Sequence, residues 1–448
     1  MKNSHLTETL KTLTPAEIER FTNFMTFDQE EMQEESINLL NNILKYYPKF
    51  DSESLDKQNL FSVVFPEKVF VDGKIDKIMV RINKCLKKFL LMEYYLNEKN
   101  EFNQLLDLSK IYKNRGLIAR YEQTINQIET TIIKKNKQSF KSALEKFQFE
   151  YEKHEWLSFN NKQNDDLNIS NTIKALFEYY QIFMVELINK YQMQQKVKQL
   201  PILTINEHII DSVSYTPNED DFFFELQFVQ KKINSIIKKG NTNTIEINNL
   251  SLFLDKNFNV FDNSIMKLLY AYQRNCCIIL RDRGVPNLET LLFDLQKEHL
   301  GKGYFFHNNK IASNTYISIA STALLLKDYK WTIAFIETYK DKILGDTPDR
   351  IYYKLNLSKY YFAINEFEKS LQILSVNFPE ISYSVNARRL EIKSYFEIKS
   401  ELVSYKLDAL KMYINRISQK SLPVEKKEHQ LNFINLFSQI VQSIPGDK

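Results

Sequence analysis

The histidine and cysteine residues of this chain are not spaced for metal binding or for nucleophilic catalysis. A zinc site needs about three or four His, Cys or carboxylate ligands that converge, whereas the six histidines are scattered along 448 residues. The adjacent thiols of Cys276 and Cys277 lie in an apolar helical pattern, which is typical of small buried side chains. No serine stands in a GxSxG pattern. We therefore expect no catalytic residue and no metal site, and interpret the protein as a non-enzyme.

The glycines do not form a phosphate-binding loop. Such loops need clustered glycines, which let backbone N–H groups approach the phosphate. The one close pair, Gly301 and Gly303, lacks both the GxGxxG pattern and a GK[ST] ending. This pair is typical of a bend between two helical hairpins, and we expect no cofactor.

Glycine and proline are rare, with 8 and 10 residues among 448. Because these residues supply tight turns and fixed bends, a chain with so few of them must be built from long elements. Sandwiches, barrels and doubly wound α/β folds need frequent turns. The composition therefore predicts an all-α protein.

The charge and the apolar patterning predict a cytoplasmic protein. The 60 basic and 56 acidic side chains nearly balance, which does not by itself indicate a nucleic-acid partner. Residues 1–8 contain no apolar stretch of the secretory kind, and no uncharged apolar run approaches the length of about 18 residues that a membrane span requires. Three cysteines do not suggest a disulfide framework. We expect no insertion into a membrane.

Helical signals divide the chain into three predicted segments. Residues 1–98 are expected to form a helical bundle, in which Thr14 and Glu17 have the spacing of a capping box. A long amphipathic helix should follow at residues 75–96, with an apolar face made of Ile78, Ile82, Cys85, Leu86, Phe89 and Leu90.

The middle segment, residues 99–310, is expected to contain degenerate helical hairpins. A polar stretch at 160–170 predicts a loop, and a helix should begin at Thr216-Pro217 and end at Lys238-Lys239-Gly240. Residues 244–247 alternate between polar and apolar like a short strand.

The segment 311–448 contains an internal repeat. Tyr329, Phe367 and Tyr405 are 38 positions apart, each in a short polar turn. Ala320 and Ser358 are small residues at a constant distance upstream, where two helices would approach closely. The second helix of each unit should begin near Thr332, Ser370 and Asp408. A fixed period of this length predicts a solenoid of helical hairpins.

This segment resembles the tetratricopeptide family. Leu357–Tyr361 is similar to the first-helix core of that motif, with Ser358 in place of its glycine. Phe367–Leu371 is similar to the start of its second helix, with Ser370 in place of its alanine. The resemblance implies a right-handed α-solenoid, ending in a capping helix at 426–444. The N-terminal part resembles an uncharacterised group of bacterial helical proteins.

The resemblance also implies a concave groove lined by first helices, in which another protein or peptide binds. The positions that it assigns to partner binding are Asn314, Ser321, Tyr352, Lys359 and Lys393, together with Ile317, Leu355, Leu390 and Glu397. Lys359 and Lys393, with Asn314, are expected to hold a carboxylate of the partner. Leu357 and Tyr361 are expected in the core. The leading hypothesis is a non-catalytic scaffold or adaptor.

The alternative hypothesis is an RNA- or ribosome-associated helical-repeat protein. It depends on three groups of lysines near helix ends, which stacked helices could align into one basic stripe. These are Lys84, Lys87 and Lys88; Lys134, Lys135 and Lys137; and Lys231, Lys232, Lys238 and Lys239.

Overall fold

The structure, a computed structural model, describes residues 4–27, 33–51, 53–97, 100–160, 167–198, 221–238, 244–346, 349–418, 422 and 424–443. Helices account for 76% of it, so the predicted all-α class is confirmed. None of the described helices combines the length and the apolar character that a membrane span requires.

The chain forms two compact units. The first contains residues 1–135 and 155–161, and the second contains residues 136–154 and 162–448. The boundaries at residues 98 and 310 rest on sequence patterns alone and stay predictions.

The first unit contains one long helix, against which the four preceding helices pack. Its elements are α1 (His5–Leu10), α2 (Pro15–Phe27), α3 (Glu34–Leu44), a 3₁₀ turn (Glu53–Leu55), α4 (Lys57–Val64), α5 (Lys74–Tyr95), α6 (Glu101–Asn114), α7 (Ile118–Gln127) and a π-helical turn (Ile128–Ile133). Helix α5 contacts α1, α2, α3 and α4. Its predicted apolar face is buried at Ile78, Ile82, Cys85, Leu86 and Phe89, and partly buried at Leu90.

The capping box at the start of α2 is confirmed. The carboxylate of Glu17 accepts hydrogen bonds from the backbone N–H and from the hydroxyl of Thr14, each at 2.7 Å. The backbone N–H of Glu17 in turn donates to the Thr14 hydroxyl at 3.3 Å. These bonds satisfy donors that the first helical turn leaves unpaired, and they lower the pKa of Glu17.

The second unit is a succession of helices in which most elements pack against the next one along the chain. Its elements are α8 (Phe140–Asn160, of which residues 140–154 belong to this unit), α9 (Ile169–Lys198), α10 (Phe224–Lys238), α11 (Thr244–Lys256), α12 (Asn263–Asp282), α13 (Leu288–Gly301), β1 (Phe306–His307), β2 (Lys310–Ala312), α14 (Ser313–Leu325), α15 (Tyr329–Tyr339), β3 (Ile343–Leu344), α16 (Ile351–Ala363), α17 (Phe367–Ile373), α18 (Ile381–Glu397), α19 (Leu402–Arg416) and α20 (Val424–Gln442).

The residues 244–247 do not form a strand, although they alternate like one, because they begin helix α11. Ile247, Leu250 and Leu254 are fully buried at helical spacing, whereas Ile245 is exposed. A short run of four residues fits both periods, and packing selects the helix. The loop predicted at 160–170 is shorter than expected, because Asn160 still belongs to α8 and Ile169 begins α9, and residues 161–166 lie outside the described residues. Helix α10 ends at Lys238, the first residue of the predicted stop. The predicted start at Thr216-Pro217 and the rest of the stop, Lys239-Gly240, lie outside the described residues.

A small three-stranded sheet joins two strands before α14 to a third strand between α15 and α16. Strands β1 and β2 form an antiparallel hairpin across Asn308 and Asn309, which have φ of 48° and 59°. Two consecutive positive φ angles are typical of a type I′ turn, and asparagine tolerates them. Strand β2 pairs in parallel with β3, where Ile311 is opposite Ile343 and both are buried.

The hairpin turns repeat with two different spacings. Residues Lys327, Asn365 and Lys399 each follow a first helix in the left-handed conformation, with φ of 60°, 64° and 55°. The residue that follows each of these three donates its backbone N–H to the carbonyl of the residue five positions before itself. The first two turns are 38 residues apart and the last two are 34 apart. The fixed spacing of 38 is therefore wrong for the third copy.

The shorter spacing has a local cause. Among the second helices, α17 has 7 residues and α15 has 11. Among the first helices, α18 has 17 residues, whereas α14 and α16 have 13 each. The connection before α18 is also four residues shorter than the one before α16. Tyr405 consequently lies within α19 and is exposed, and the buried residues of α19 are Val403, Leu407, Leu410 and Ile414.

Candidate anion-binding pocket

One pocket of about 440 Å³ lies between the first helices of the last three hairpins. Helices α14, α16 and α18 each contribute side chains at helical spacing, which places them on one face of their helix. The lining residues are Ser321, Leu324 and Leu325 from α14; Lys359, Phe362 and Ala363 from α16; and Asn386, Arg389, Leu390 and Lys393 from α18. The pocket thus combines an apolar floor with several polar groups, as ligand sites do.

Lys359 is the most enclosed cation of the pocket. Its ammonium donates a hydrogen bond to the hydroxyl of Ser321 at 3.1 Å, a residue 38 positions earlier on the neighbouring helix. The described lining of the pocket offers it no carboxylate. Burial lowers the pKa of Lys359 to about 8, because a desolvated ammonium loses its hydration without gaining an opposite charge.

Two further cations approach the same space from α18. The guanidinium of Arg389 donates to the side-chain oxygen of Gln430 at 3.2 Å and lies 4.0 Å from the centre of the Phe433 ring, which holds it in place. One helical turn later on α18 is Lys393. Burial lowers the pKa of both groups, and the charge of Arg389 lowers that of Lys393 further.

The described lining of this pocket contains three cations and no acidic side chain. Like charges held close together in a partly dry space repel each other, and each has lost part of its hydration. An anion that enters the pocket relieves both costs. The arrangement can therefore bind an anionic group through charge-assisted hydrogen bonds.

The structure brings together three of the five residues assigned to partner binding, namely Ser321, Lys359 and Lys393. The other two do not line the pocket. Asn314 is exposed at the start of α14, where its side chain accepts the N–H of Thr315. Tyr352 was expected to face outward and is instead buried, with its hydroxyl donating to Glu380 at 2.8 Å.

Other groove positions also differ from the expectation. Ile317 and Leu355 are buried in the hydrophobic core, and Glu397 is exposed beside a separate depression. Sequence reasoning missed Arg389. Its signal was its position four residues before Lys393, which places the two on the same face of a helix.

The lysines of the RNA hypothesis are divided between the two units. Lys84, Lys87 and Lys88 are exposed on α5 of the first unit, which also contains the exposed Lys134 and Lys135; the exposed Lys137 belongs to the second unit. In α10, Lys231 and Lys232 are half-buried, and the ammonium of Lys232 lies 5.0 Å from the Phe228 ring. The side chain of Lys238 and all of Lys239 lie outside the described residues.

The described residues contain no group of three or more His, Cys, Asp or Glu side chains that could hold a metal ion. Cys276 and Cys277 are fully buried on α12, and burial raises the pKa of both thiols, that of Cys277 to about 12.

Comparisons with family models, with curated proteins and with solved structures find no match to this chain.

Proposed function

We propose that this protein is a non-catalytic interaction scaffold that binds a partner protein along the first helices of its C-terminal hairpins. The observation that carries the proposal is the cluster of Lys359, Arg389 and Lys393 in one pocket whose described lining holds no carboxylate. A protein that needed these charges only for solubility would leave them in water or pair them.

The resemblance to tetratricopeptide repeats supports this proposal. Ser358 and Ser370, which replace the small residues of that motif, lie against each other in the contact between α16 and α17. The turns at Asn365 and Lys399 are 34 residues apart, which is the usual period of that family. Helices α14, α16 and α18 contact one another in sequence, as first helices do in a stack of hairpins.

The partner would contribute an acidic group and an apolar neighbour. The acidic group would accept hydrogen bonds from the three cations. Leu324, Leu325, Phe362 and Leu390 line the same pocket, and Leu325 is 61% exposed. Apolar contact with these side chains would add affinity by removing surface from water.

The test is affinity capture from the native cell with the full chain as bait. The variant Lys359→Gln/Arg389→Gln/Lys393→Gln removes the pocket charges, and Lys330→Gln/Lys354→Gln/Lys411→Gln removes three charges that do not line the pocket. We expect partners that are retained by wild type and by the control but lost from the pocket variant. An identical set of partners on all three baits would reject this site.

The RNA- or ribosome-associated alternative is favoured by the exposed positions of Lys84, Lys87 and Lys88 on one helix. Phosphate contacts give a steep dependence of binding on salt. Capture with and without nuclease, followed by a salt titration, separates the alternatives. Loss of all partners after nuclease treatment would favour RNA.

A further inference from the structure

The charge of the pocket exceeds what a single carboxylate neutralises. Lys359, Arg389 and Lys393 together carry three positive charges when protonated, and the lining that the structure describes supplies no negative one. A carboxylate carries one negative charge, whereas a phosphomonoester carries about 1.5 to 2 at neutral pH. We propose that the pocket recognises a phosphomonoester dianion, carried by a phosphorylated side chain of the partner. This deepens the proposed function and rests on it.

The pocket lining supplies three cationic side chains that can donate hydrogen bonds to a phosphate. The ammonium of Lys359 uses one of its protons on Ser321, which leaves two. The guanidinium of Arg389 is held by Gln430 through one nitrogen and offers its remaining N–H groups. Lys393 contributes a third cation from the same helix. Phosphate binding by convergent Arg and Lys side chains uses hydrogen bonds of this charge-assisted kind.

The apolar part of the lining strengthens these interactions. Leu324, Phe362 and Leu390 stand beside the cations and exclude water from part of the space. Coulombic attraction grows as the local dielectric constant falls. A volume of about 440 Å³ accepts a phosphorylated side chain together with adjoining backbone.

The proposal predicts a distinctive dependence of binding on pH. The second ionisation of a phosphomonoester has a pKa of about 6, so its dianion is lost below that pH. Lys359 loses its proton as the pH rises past about 8. Affinity should therefore be highest between these values. A carboxylate ligand, with a pKa of about 4, would keep its affinity down to about pH 5.

The charged groups that line the pocket beside Lys359 come from one of the neighbouring helices. Helix α14 contributes Ser321 and has no charged residue, and α18 contributes Arg389 and Lys393. The remaining charged residues of these elements do not line the pocket. They are Lys354 on α16; Lys330 and Glu337 on α15; Glu368 and Lys369 on α17; and Arg388, Glu391 and Glu397 on α18.

The test uses the full chain and fluorescence polarisation. The probes are three degenerate peptide libraries that differ only at a fixed central residue, which is phosphoserine, glutamate or serine. O-phosphoserine and inorganic phosphate serve as competitors, and a single-stranded RNA oligonucleotide is a further probe. We expect the phosphoserine library to bind at least about tenfold more tightly than the glutamate library, with the pH optimum described above.

The variants separate the pocket from the rest of the surface. Lys359→Gln and Arg389→Gln should each weaken phosphopeptide binding by about tenfold or more, and Arg389→Lys should keep part of the affinity because it keeps the charge. The control Lys330→Gln/Lys354→Gln/Lys411→Gln should bind like wild type. Thermal unfolding of each variant shows whether it is folded, and the charge-conserving variant keeps the test valid if Arg389→Gln is not.

Each outcome decides one of the two proposals. Equal binding of the glutamate and phosphoserine libraries would overturn phosphomonoester recognition and leave the scaffold intact. If O-phosphoserine and phosphate bind but no phosphopeptide does, recognition of a phosphomonoester is supported. The proposal that a partner protein carries that group is then overturned. Binding of no phosphorylated probe, or RNA binding that the same variants abolish, would overturn this inference.

Discussion

The hydroxyl oxygens of Ser358 and Ser370 lie 2.8 Å apart between α16 and α17, and each is 2.9 Å from the backbone carbonyl oxygen of the other residue. Both side chains are fully buried. Each hydroxyl has one proton, so two of these three contacts can be hydrogen bonds at the same time. The pair therefore links the two helices of the hairpin without an unpaired buried hydroxyl.

Removal of either hydroxyl should destabilise the hairpin, and the two effects should not add. Ser358→Ala and Ser370→Ala are each expected to cost about 1 kcal/mol, and the double variant less than the sum, because the contact between the two hydroxyls is lost with the first change and cannot be lost again. Urea unfolding measures the free energies. Ser382→Ala, at an exposed position of α18, is the control. Strict additivity would show that the two hydroxyls are not coupled.

The core side of α16 is defined by Leu355 rather than by Leu357. Leu355 is fully buried, whereas Leu357 and Tyr361, which were expected in the core, are partly buried. Leu355→Ala should cost about 2–5 kcal/mol through loss of apolar contact and a residual cavity. Leu357→Ala should cost about 1–2 kcal/mol, because it removes less buried surface. Chemical denaturation compares the two, and equal losses would contradict this burial pattern.

Lysine occupies positions at which glycine would be less strained. Lys327 and Lys399 have φ of 60° and 55°, and a side chain in this region costs about 1–2 kcal/mol. Lys327→Gly and Lys399→Gly should therefore raise the free energy of unfolding by about 0.5–1 kcal/mol, after the entropy that glycine loses on folding. Thermal melts of the two variants measure the gain.

Glycines in the same type of turn provide the matched control. Gly116 and Gly303 have φ of 70° and 74°, and a Cβ added at either meets no atom within 4 Å. Gly116→Ala and Gly303→Ala should destabilise by about 1 kcal/mol through backbone strain alone. If the lysine-to-glycine and glycine-to-alanine changes shifted stability in the same direction, backbone strain would not explain these turns.

His299 is a neutral imidazole in the interior of the second unit. It is fully buried, and its Nδ1 accepts a hydrogen bond from the guanidinium of Arg274. The acceptor role places the proton on Nε2. Burial, together with the charges of Arg274 and Lys302, lowers the pKa of His299 to about 3.

This histidine should make the protein less stable in acid. The unfolded chain binds a proton with an ordinary pKa of about 6.5, while the folded imidazole stays neutral down to about 3. The free energy of unfolding is at its full value above pH 6.5. It decreases as the pH falls, by up to about 3 kcal/mol at pH 4. His299→Gln should have a flatter pH profile of unfolding, and the exposed His307→Gln should follow wild type. Parallel profiles for all three would overturn this assignment.

Helical periodicity and capping patterns were sufficient to predict the long helix α5 and the start of α2. The buried face of α5, from Ile78 to Phe89, follows from apolar residues at helical spacing, and the capping box of Thr14 and Glu17 follows from residue types three positions apart. Both depend on interactions within one helix or its first turn, which are encoded in neighbouring residues.

The groove could be predicted only in part. Tyr352, Leu355 and Lys359 share one side of α16, so a pattern carried over from a repeat family exposes all three. In the structure, Phe378 and Tyr383 lie against Tyr352, with ring centres 5.9 Å from its own, and Lys359 alone of the three lines the pocket. The path of the segment between α17 and α18 decides this, and helical periodicity does not encode that path.

The scarcity of glycine and proline and the spacing of apolar side chains determined that the chain is helical, because helices form through hydrogen bonds and contacts between residues three and four apart. Tertiary structure decides which cationic side chains line the same pocket. Lys359 and Arg389 are separated by 30 residues, and they share a pocket because α16 packs against α18 through a contact that no local pattern specifies. The same packing removes water from the lysine, and so creates the unpaired charge on which the proposed binding depends.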